Sequence, residues 1–514
     1  MIFNYPITNY PTCPGVPWIT NCRNLLLTLL TLLLVSGPLH AHVGSPDVFF
    51  EGDAGPYHLF VTVRMPQVIP GVAEIQVRSA SNDVQTIQVV PLRLSGPGSN
   101  LPPIPDEAQR SKTDPQFFVS NLWLMEFGAL QVRIQADGTK GKAQLSVPVP
   151  SFARQSLPME RSLRGLLGFF LLFLALGLVL IAGAIVRESS VAPGEKPQPS
   201  RTRRARIVMT VTVIVVAVVL YLSGIWWGVE ATTYQRNVNF YKPPTAETTL
   251  QNGNLLVIRA AGQDERWSNK IKMDELIPDH GHLMHLFLIG EPGMDRMWHL
   301  HPERIQGGAF SEKLPAMPAG QYQVFADIVD KNGYPWTLVG KLEIPKVDGS
   351  PTSGDDSMWI GARMTESSAD ATVAQLPDGG RMVWERGAGP LQANTPMSLR
   401  FHLEEKDGSP VRDLEPYMGM AAHAEIVCSD LSVFAHIHPA GSVSMAALNL
   451  AQTGLTGAPS AGMEMPMQMA GLSGPLPSEF SFPFGFPHAG AYRIFVQIKR
   501  AGRVQTAAFD ARVQ

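Results

Sequence analysis

The chain has 514 residues, a net charge of −3 and only 17% charged residues. That length holds several domains of about 150 residues each, and the sparse, mixed charge excludes the basic surface that binding to DNA or RNA demands. Gly 46 and Pro 43, spread along the chain, exceed ordinary usage and favour short strands and turns in its soluble parts.

The first predicted element is a secretory signal over residues 1–41. An apolar run over residues 25–35 follows Arg23 and is too short to span a bilayer; the helix breakers Gly37 and Pro38 and a cleavage site at Leu39-His40-Ala41 come next. Cleavage after Ala41 removes Cys13 and Cys22, so the mature chain keeps one thiol, Cys428, and no internal disulfide. It also makes His42 the amino terminus, where amine and imidazole together chelate Cu(II), with His58 as a third nitrogen.

Residues 42–150 are expected to form an N-terminal β-sandwich. Residues 165–186 and 207–227 contain no Asp, Glu, Lys, Arg or His and are each long enough to cross about 30 Å of hydrocarbon, which makes them transmembrane helices. Between them, residues 187–206 carry Arg187, Lys196, Arg201, Arg203, Arg204 and Arg206 against Glu188 and Glu195, so the positive-inside rule places this loop in the cytoplasm. The flanking parts then lie in the periplasm and the chain is anchored in the inner membrane. Helices without an ionisable group offer no ion relay, and without histidine no haem ligand.

A repeat marks the soluble parts. Gly128-x-Leu130-x-Val132-x-Ile134 before Asp137-Gly138, Gly320-x-Tyr322-x-Val324 before Asn332-Gly333, and Gly490-x-Tyr492-x-Ile494-x-Val496 before Ala501-Gly502 each read as a loop glycine, a period-2 strand and a turn. Pro318-Ala-Gly-Gln-Tyr322 and His488-Ala-Gly-Ala-Tyr492 resemble the tyrosine corner of immunoglobulin-like sandwiches. The expected fold is therefore all-β outside the membrane: three immunoglobulin-like β-sandwiches over 42–150, 235–346 and 366–514, with 347–365 as a linker, plus two transmembrane α-helices.

Eight of the 13 histidines fall in two matching stretches. One contains His280, His282 and His285 followed by His299-Leu300-His301-Pro302; the other contains Met418, Met420 and His423 followed by His436-Ile437-His438-Pro439. In a strand, residues two apart share a face, so each H-x-H presents two imidazoles on one side while Trp298 and Leu300, or Ala435 and Ile437, face the core. A hairpin loop of residues 291–295 sets His285 opposite His301, and a loop of residues 429–432 sets His423 opposite His438. Each copy thus offers a triad: His285, His299 and His301, or His423, His436 and His438. Three neutral imidazoles suit copper, zinc, nickel or iron. Met463, Met465, Met467 and Met469, with Met418 and Met420, add thioethers that select Cu(I).

Met418-Gly-Met-Ala-Ala-His423, Val433-Phe-Ala-His-Ile-His-Pro439 and Phe486-Pro-His-Ala-Gly-Ala-Tyr492 together resemble the YtkA-like immunoglobulin-fold envelope domains associated with copper and other heavy metals, and His42 resembles the mature amino terminus of CopC-like copper carriers. The resemblance implies a β-sandwich, a periplasmic location and metal handling. The expected function is membrane-anchored copper binding, as Cu(I) or Cu(II) with zinc as the second candidate, for sequestration, delivery or sensing, with a periplasmic or membrane copper-handling protein as partner. The rivals are a non-catalytic envelope scaffold and, further off, a copper or zinc enzyme, for which no clear acid or base stands out in the sequence.

Overall fold

The computed structural model describes residues 44–192, 194–238, 242–260, 271–365, 368–369, 371–387, 389–456 and 476–514. His42 and the Met463, Met465, Met467 and Met469 cluster lie outside them.

Among the described residues the strands form six antiparallel sheets, two from each strand-bearing stretch of chain. The N-terminal pair begins at Val48–Ala54 and closes with the long hairpin Gly128–Gly138 and Gly141–Ser151. Its turn falls at Thr139-Lys140, two residues later than the pattern suggests, because Asp137 and Gly138 still pair, with Lys142 and Gly141.

The middle pair sets a four-stranded sheet against a larger one built on Gly320–Asp330, which pairs with Leu276–Ile277, His285–Gly290 and Pro335–Ile344; His285–Gly290 in turn pairs with Arg296–Leu300. The C-terminal pair repeats this plan. Gly490–Arg500 pairs with Leu414–Glu415, His423–Cys428 and Arg503–Val513, and His423–Cys428 pairs with Phe434–Ile437. Both corner tyrosines bond back four residues, Tyr322 to the Pro318 carbonyl at 2.7 Å and Tyr492 to the His488 carbonyl at 2.8 Å.

Two helices, Arg161–Glu188 and Pro199–Val238, are long and apolar enough to cross a membrane, with mean hydropathy of 3.0 and 2.5 over their most apolar windows. They exceed the expected spans at both ends, and the second absorbs part of the expected loop, since it starts at Pro199, where proline is well tolerated in a first turn.

Three differences from the sequence expectation bear on function. The strand His285–Gly290 is buried at every position, and so is His423–Cys428. Leu286 and Leu288, or Ala424 and Ile426, enter the core of their own pair, but Phe287, Ile289 and Met297 pack against Val427, Phe434 and Phe495 of the other. The supposed outer faces of the two H-x-H hairpins are thus pressed on each other. Second, the expected linker contributes a strand: Ser357–Ile360 pairs with Arg296–His299 at the edge of the middle pair, an edge otherwise open to mispairing. Third, the C-terminal stretch contains a helix, Met445–Thr456, where only strands and a loop were expected.

Candidate metal centre

The register of the middle hairpin sets Leu286 opposite Leu300, so His285 and His301 end up at facing positions; in the C-terminal hairpin Ala424 stands opposite Ile437, which does the same for His423 and His438. Because the two hairpins meet face to face, all eight histidines collect in one cluster. His285, His299, His423 and His438 are at most 2% exposed.

Local turns aim the remaining rings. Asp279-His280-Gly281-His282 closes on itself through paired backbone bonds, which need positive φ at His280 (50°) and Gly281 (86°). Tyr417-Met418-Gly419-Met420 forms the same turn in the other copy. The equivalent residues of the two turns meet: His280 Nδ1 donates to the Met418 carbonyl at 2.8 Å. That contact swings His280 across the boundary, where it groups with His423 and His438, while His285, His299 and His301 form the second group; within each group ligand nitrogens lie within 4.8 Å of one another. The expected C-terminal triad is therefore changed, with His280 in place of His436. His436 lies between the groups, its ring 5.3 Å from that of His285, 4.8 Å from His438 and 5.6 Å from His423. His282 stacks on His301 at 3.9 Å and reaches Asp355 at 3.4 Å.

The hydrogen-bond partners fix the tautomers, since a carbonyl or amide oxygen can only accept. His285 Nε2 donates to the Asp279 carbonyl at 3.1 Å, and His299 Nδ1 to Gln497 Oε1 at 2.9 Å. The atoms left over, His285 Nδ1 and His299 Nε2, face each other at 3.1 Å. In the other group His280 Nδ1 is committed to Met418 and His438 Nδ1 to the Val443 carbonyl at 3.2 Å, and the two Nε2 atoms again stand 3.1 Å apart. Neutral rings so arranged point lone pair at lone pair with no proton between them. His301 completes the pattern: Nδ1 meets Asp356 at 3.0 Å, and Nε2 is buried without a hydrogen-bond partner, as are both nitrogens of His423 and Nε2 of His436.

Protonation is not the remedy, because burial first, and the neighbouring imidazoles next, hold His285, His301 and His423 well below the usual histidine range; burial also holds His299 and His438 well below it. Neutral imidazole is the ligand form. A separation of 3.1 Å is within what two nitrogens about 2.0–2.1 Å from one shared ion span. The residues present could therefore hold a metal ion, with the carbonyls of Asp279, Met418 and Val443 orienting the ligands from behind.

Several groups at the site were not singled out from the sequence. Glu425 is fully buried with neither carboxylate oxygen hydrogen-bonded; its nearest ring nitrogen, His299 Nδ1, is 3.9 Å away. Burial, with Asp327 adding to it, pushes its pKa well above the carboxylate range. Tyr417 donates to the Asp355 carbonyl at 2.8 Å, and Asp327 lies 3.6 Å from His436 Nδ1. Asp327 and Gln497 occupy equivalent positions, opposite His285 and His423 in their sheets, and each serves the first histidine of the other copy's H-x-H. The period-2 pattern marks them, but only the packing of the two sheets gives them a partner.

Other expected residues fall elsewhere. Met420 belongs to the apolar cluster shared with the N-terminal pair, and Met418 offers its carbonyl. His58 is engaged by Asp53 at 2.7 Å and Glu51 at 3.1 Å; the Glu51 bond leads in raising its pKa to about 9.

One family profile, a domain of unknown function (DUF8832), matches residues 374–514. No curated protein matches. Among solved structures, the four-domain ectodomain fragment of ICAM-5 is 9% identical with a TM-score of 0.15, covering 90% of this chain and 77% of that one. Salmonella alpha-2-macroglobulin reacted with methylamine is 9% identical with a TM-score of 0.19, over 92% of this chain and 24% of its own. An engineered protein is 14% identical with a TM-score of 0.15, over 18% of this chain and 19% of that one. The chain thus spans about a fifth to a quarter of the length of two of these three.

Proposed function

We propose that this is a membrane-anchored envelope protein that binds copper in the cluster between its middle and C-terminal sheet pairs. Each sheet pair is read as an immunoglobulin-like β-sandwich, and the two long apolar helices as an inner-membrane anchor that leaves all three sandwiches in the periplasm, with residues 187–206 on the cytoplasmic side. The observation that carries the reading is the pair of opposed lone pairs, His285 with His299 and His280 with His438, each at 3.1 Å and each fixed by a hydrogen bond on the far side of the ring. Such a placement of neutral, buried nitrogens is unfavourable without a cation. Each orphaned polar group costs about 1–3 kcal/mol, and metal ligation offsets that cost.

All-imidazole ligation suits Cu(II) and zinc alike, while the thioethers of Met463, Met465, Met467 and Met469 favour Cu(I). The ion is cargo or regulator in this reading; sequestration, delivery and sensing share the same site, and a copper-handling membrane or periplasmic protein is the partner class.

The test is elemental analysis of the full chain purified in detergent without added metal. Copper retained by the parent and lost on joint replacement of His285 and His438 by Ala supports the proposal. A metal-free parent that also fails to take up Cu(II) or Zn(II) returns the cluster to a scaffold role. A reporter fused within residues 187–206 should be active only if it works in the cytoplasm; activity of a periplasm-only reporter there overturns the topology.

A further inference from the structure

Two ligand groups that share no residue stand side by side, which raises the question of how many ions the cluster takes. His285, His299 and His301 close on one point, and His280, His423 and His438 on another. His436 touches both, with its ring 5.7 Å from His299 and 4.8 Å from His438, and its Nε2 is buried with no hydrogen-bond partner. Each group contains its own pair of opposed lone pairs at 3.1 Å, so one ion satisfies one pair and leaves the other as it was.

Charge points the same way. Glu425, Asp327, Asp355, Asp356 and Asp279 stand around the rings. Among the described residues, one ion pair to a basic side chain is recorded for these five carboxylates, Lys499 with Asp355 at 3.1 Å. With Glu425 held protonated by burial, the other four exceed that ammonium by three negative charges, more than one divalent ion neutralises.

We propose, building on the copper-binding reading above, that the cluster is a two-ion centre, one ion per histidine group, with His436 between them and with open positions that a small anion reaches from outside. Three imidazoles leave a further position on a four-coordinate ion. A cavity of about 190 Å³ is lined by His285 of one group and His438 of the other, by His436 between them, and by Asp327, Tyr334 and Lys242. It is large enough for a triatomic anion and brings a lysine to its wall. The two groups differ in supply: the second draws ligands from both sheet pairs, the first from the middle pair alone, so the ions are chemically inequivalent.

The experiment uses the full chain in detergent, titrated with Cu(II) and followed by elemental analysis and electron paramagnetic resonance. The expected result is two copper ions per chain. The spectrum should show either two distinct signals or an integrated intensity well below the copper bound, because adjacent Cu(II) spins couple. Sodium azide, the probe for the cavity, should then alter the spectrum at about one azide per chain. One tightly held ion per chain with full intensity overturns the two-ion centre and leaves the proposed function standing; no bound ion overturns both. Two ions with no response to azide overturns the access route. A check on site identity needs no double loss: His301→Ala and His438→Ala should each retain one ion, with different spectra, and identical spectra from the two variants also overturn the assignment.

Discussion

His280 and His438 stand 158 residues apart in the chain, in different sheet pairs, and their Nε2 atoms face each other at 3.1 Å. Each ring is held from behind by a backbone carbonyl, that of Met418 for His280 and that of Val443 for His438. Neither ring turns to hydrogen-bond the other without giving up its carbonyl. Binding and domain association are therefore linked: an ion between these atoms ties the middle and C-terminal pairs together.

His280→Ala should consequently weaken metal at the His423 and His438 group by at least about tenfold and leave the His285, His299 and His301 group near its parent affinity. Competition with a chromophoric chelator measures both. Equal weakening at the two groups contradicts the assignment of His280.

The apo protein should lose stability as pH falls. The folded-state pKa values of His285, His299, His301, His423 and His438 are depressed, chiefly by burial, so the unfolded chain takes up protons near 6.5 while the folded one does not. Stability is full above about pH 6.5 and falls below it, by up to about 1.4 kcal/mol per pH unit for each ring that stays neutral. Thermal melts of metal-stripped protein between pH 7.5 and 5.5 should show the drop; a flat profile means that the rings are solvated.

Glu425→Gln separates charge from shape. The carboxyl is fully buried and its pKa is raised by burial, so at neutral pH folding must load it with a proton that the amide does not need, and the substitution should raise the apo melting temperature there. Metal retention should fall, because the carboxyl can release its proton to balance a bound cation and the amide cannot. A variant less stable than the parent, with unchanged metal content, contradicts both halves of the argument.

The apolar end of the interface is testable without touching a ligand. Phe434 stacks on Phe325 at 4.2 Å with the rings nearly parallel, and both are buried between the pairs. Phe434→Ala should cost about 3–5 kcal/mol in denaturant unfolding and lower metal affinity, since it loosens the faces that carry the two groups. Parent-like affinity after that loss shows that the rings are positioned within each hairpin alone.

Much of this was legible in the sequence for identifiable reasons. Loop lengths and the positions of Trp298, Leu300, Ala435 and Ile437 set the register of both hairpins, and Pro318-to-Tyr322 and His488-to-Tyr492 announced corners that the backbone forms. The burial of the histidine faces was not legible. A period-2 strand with histidine, phenylalanine and glutamate on its outer face reads as half exposed, and only the meeting of two such faces turns Phe287 and Val427 into a second core. For the same reason the sequence assigns His280 to its own hairpin and leaves Glu425, whose surroundings come from the packing of sheets far apart in sequence, unmarked.

The edge strand Ser357–Ile360 carries a consequence for timing. It pairs beside His299, and Ser357 accepts a bond from Gln497, the same amide that fixes the His299 tautomer. During synthesis from the amino terminus, His285, His299 and His301 exist long before residue 497 does. Until that glutamine arrives the His299 tautomer lacks the bond that fixes it, and His280 has neither Met418 nor His438 to meet. A nascent or truncated chain thus lacks the second ligand group altogether, and loading of both groups becomes a certificate that the C-terminal strands have been made and docked.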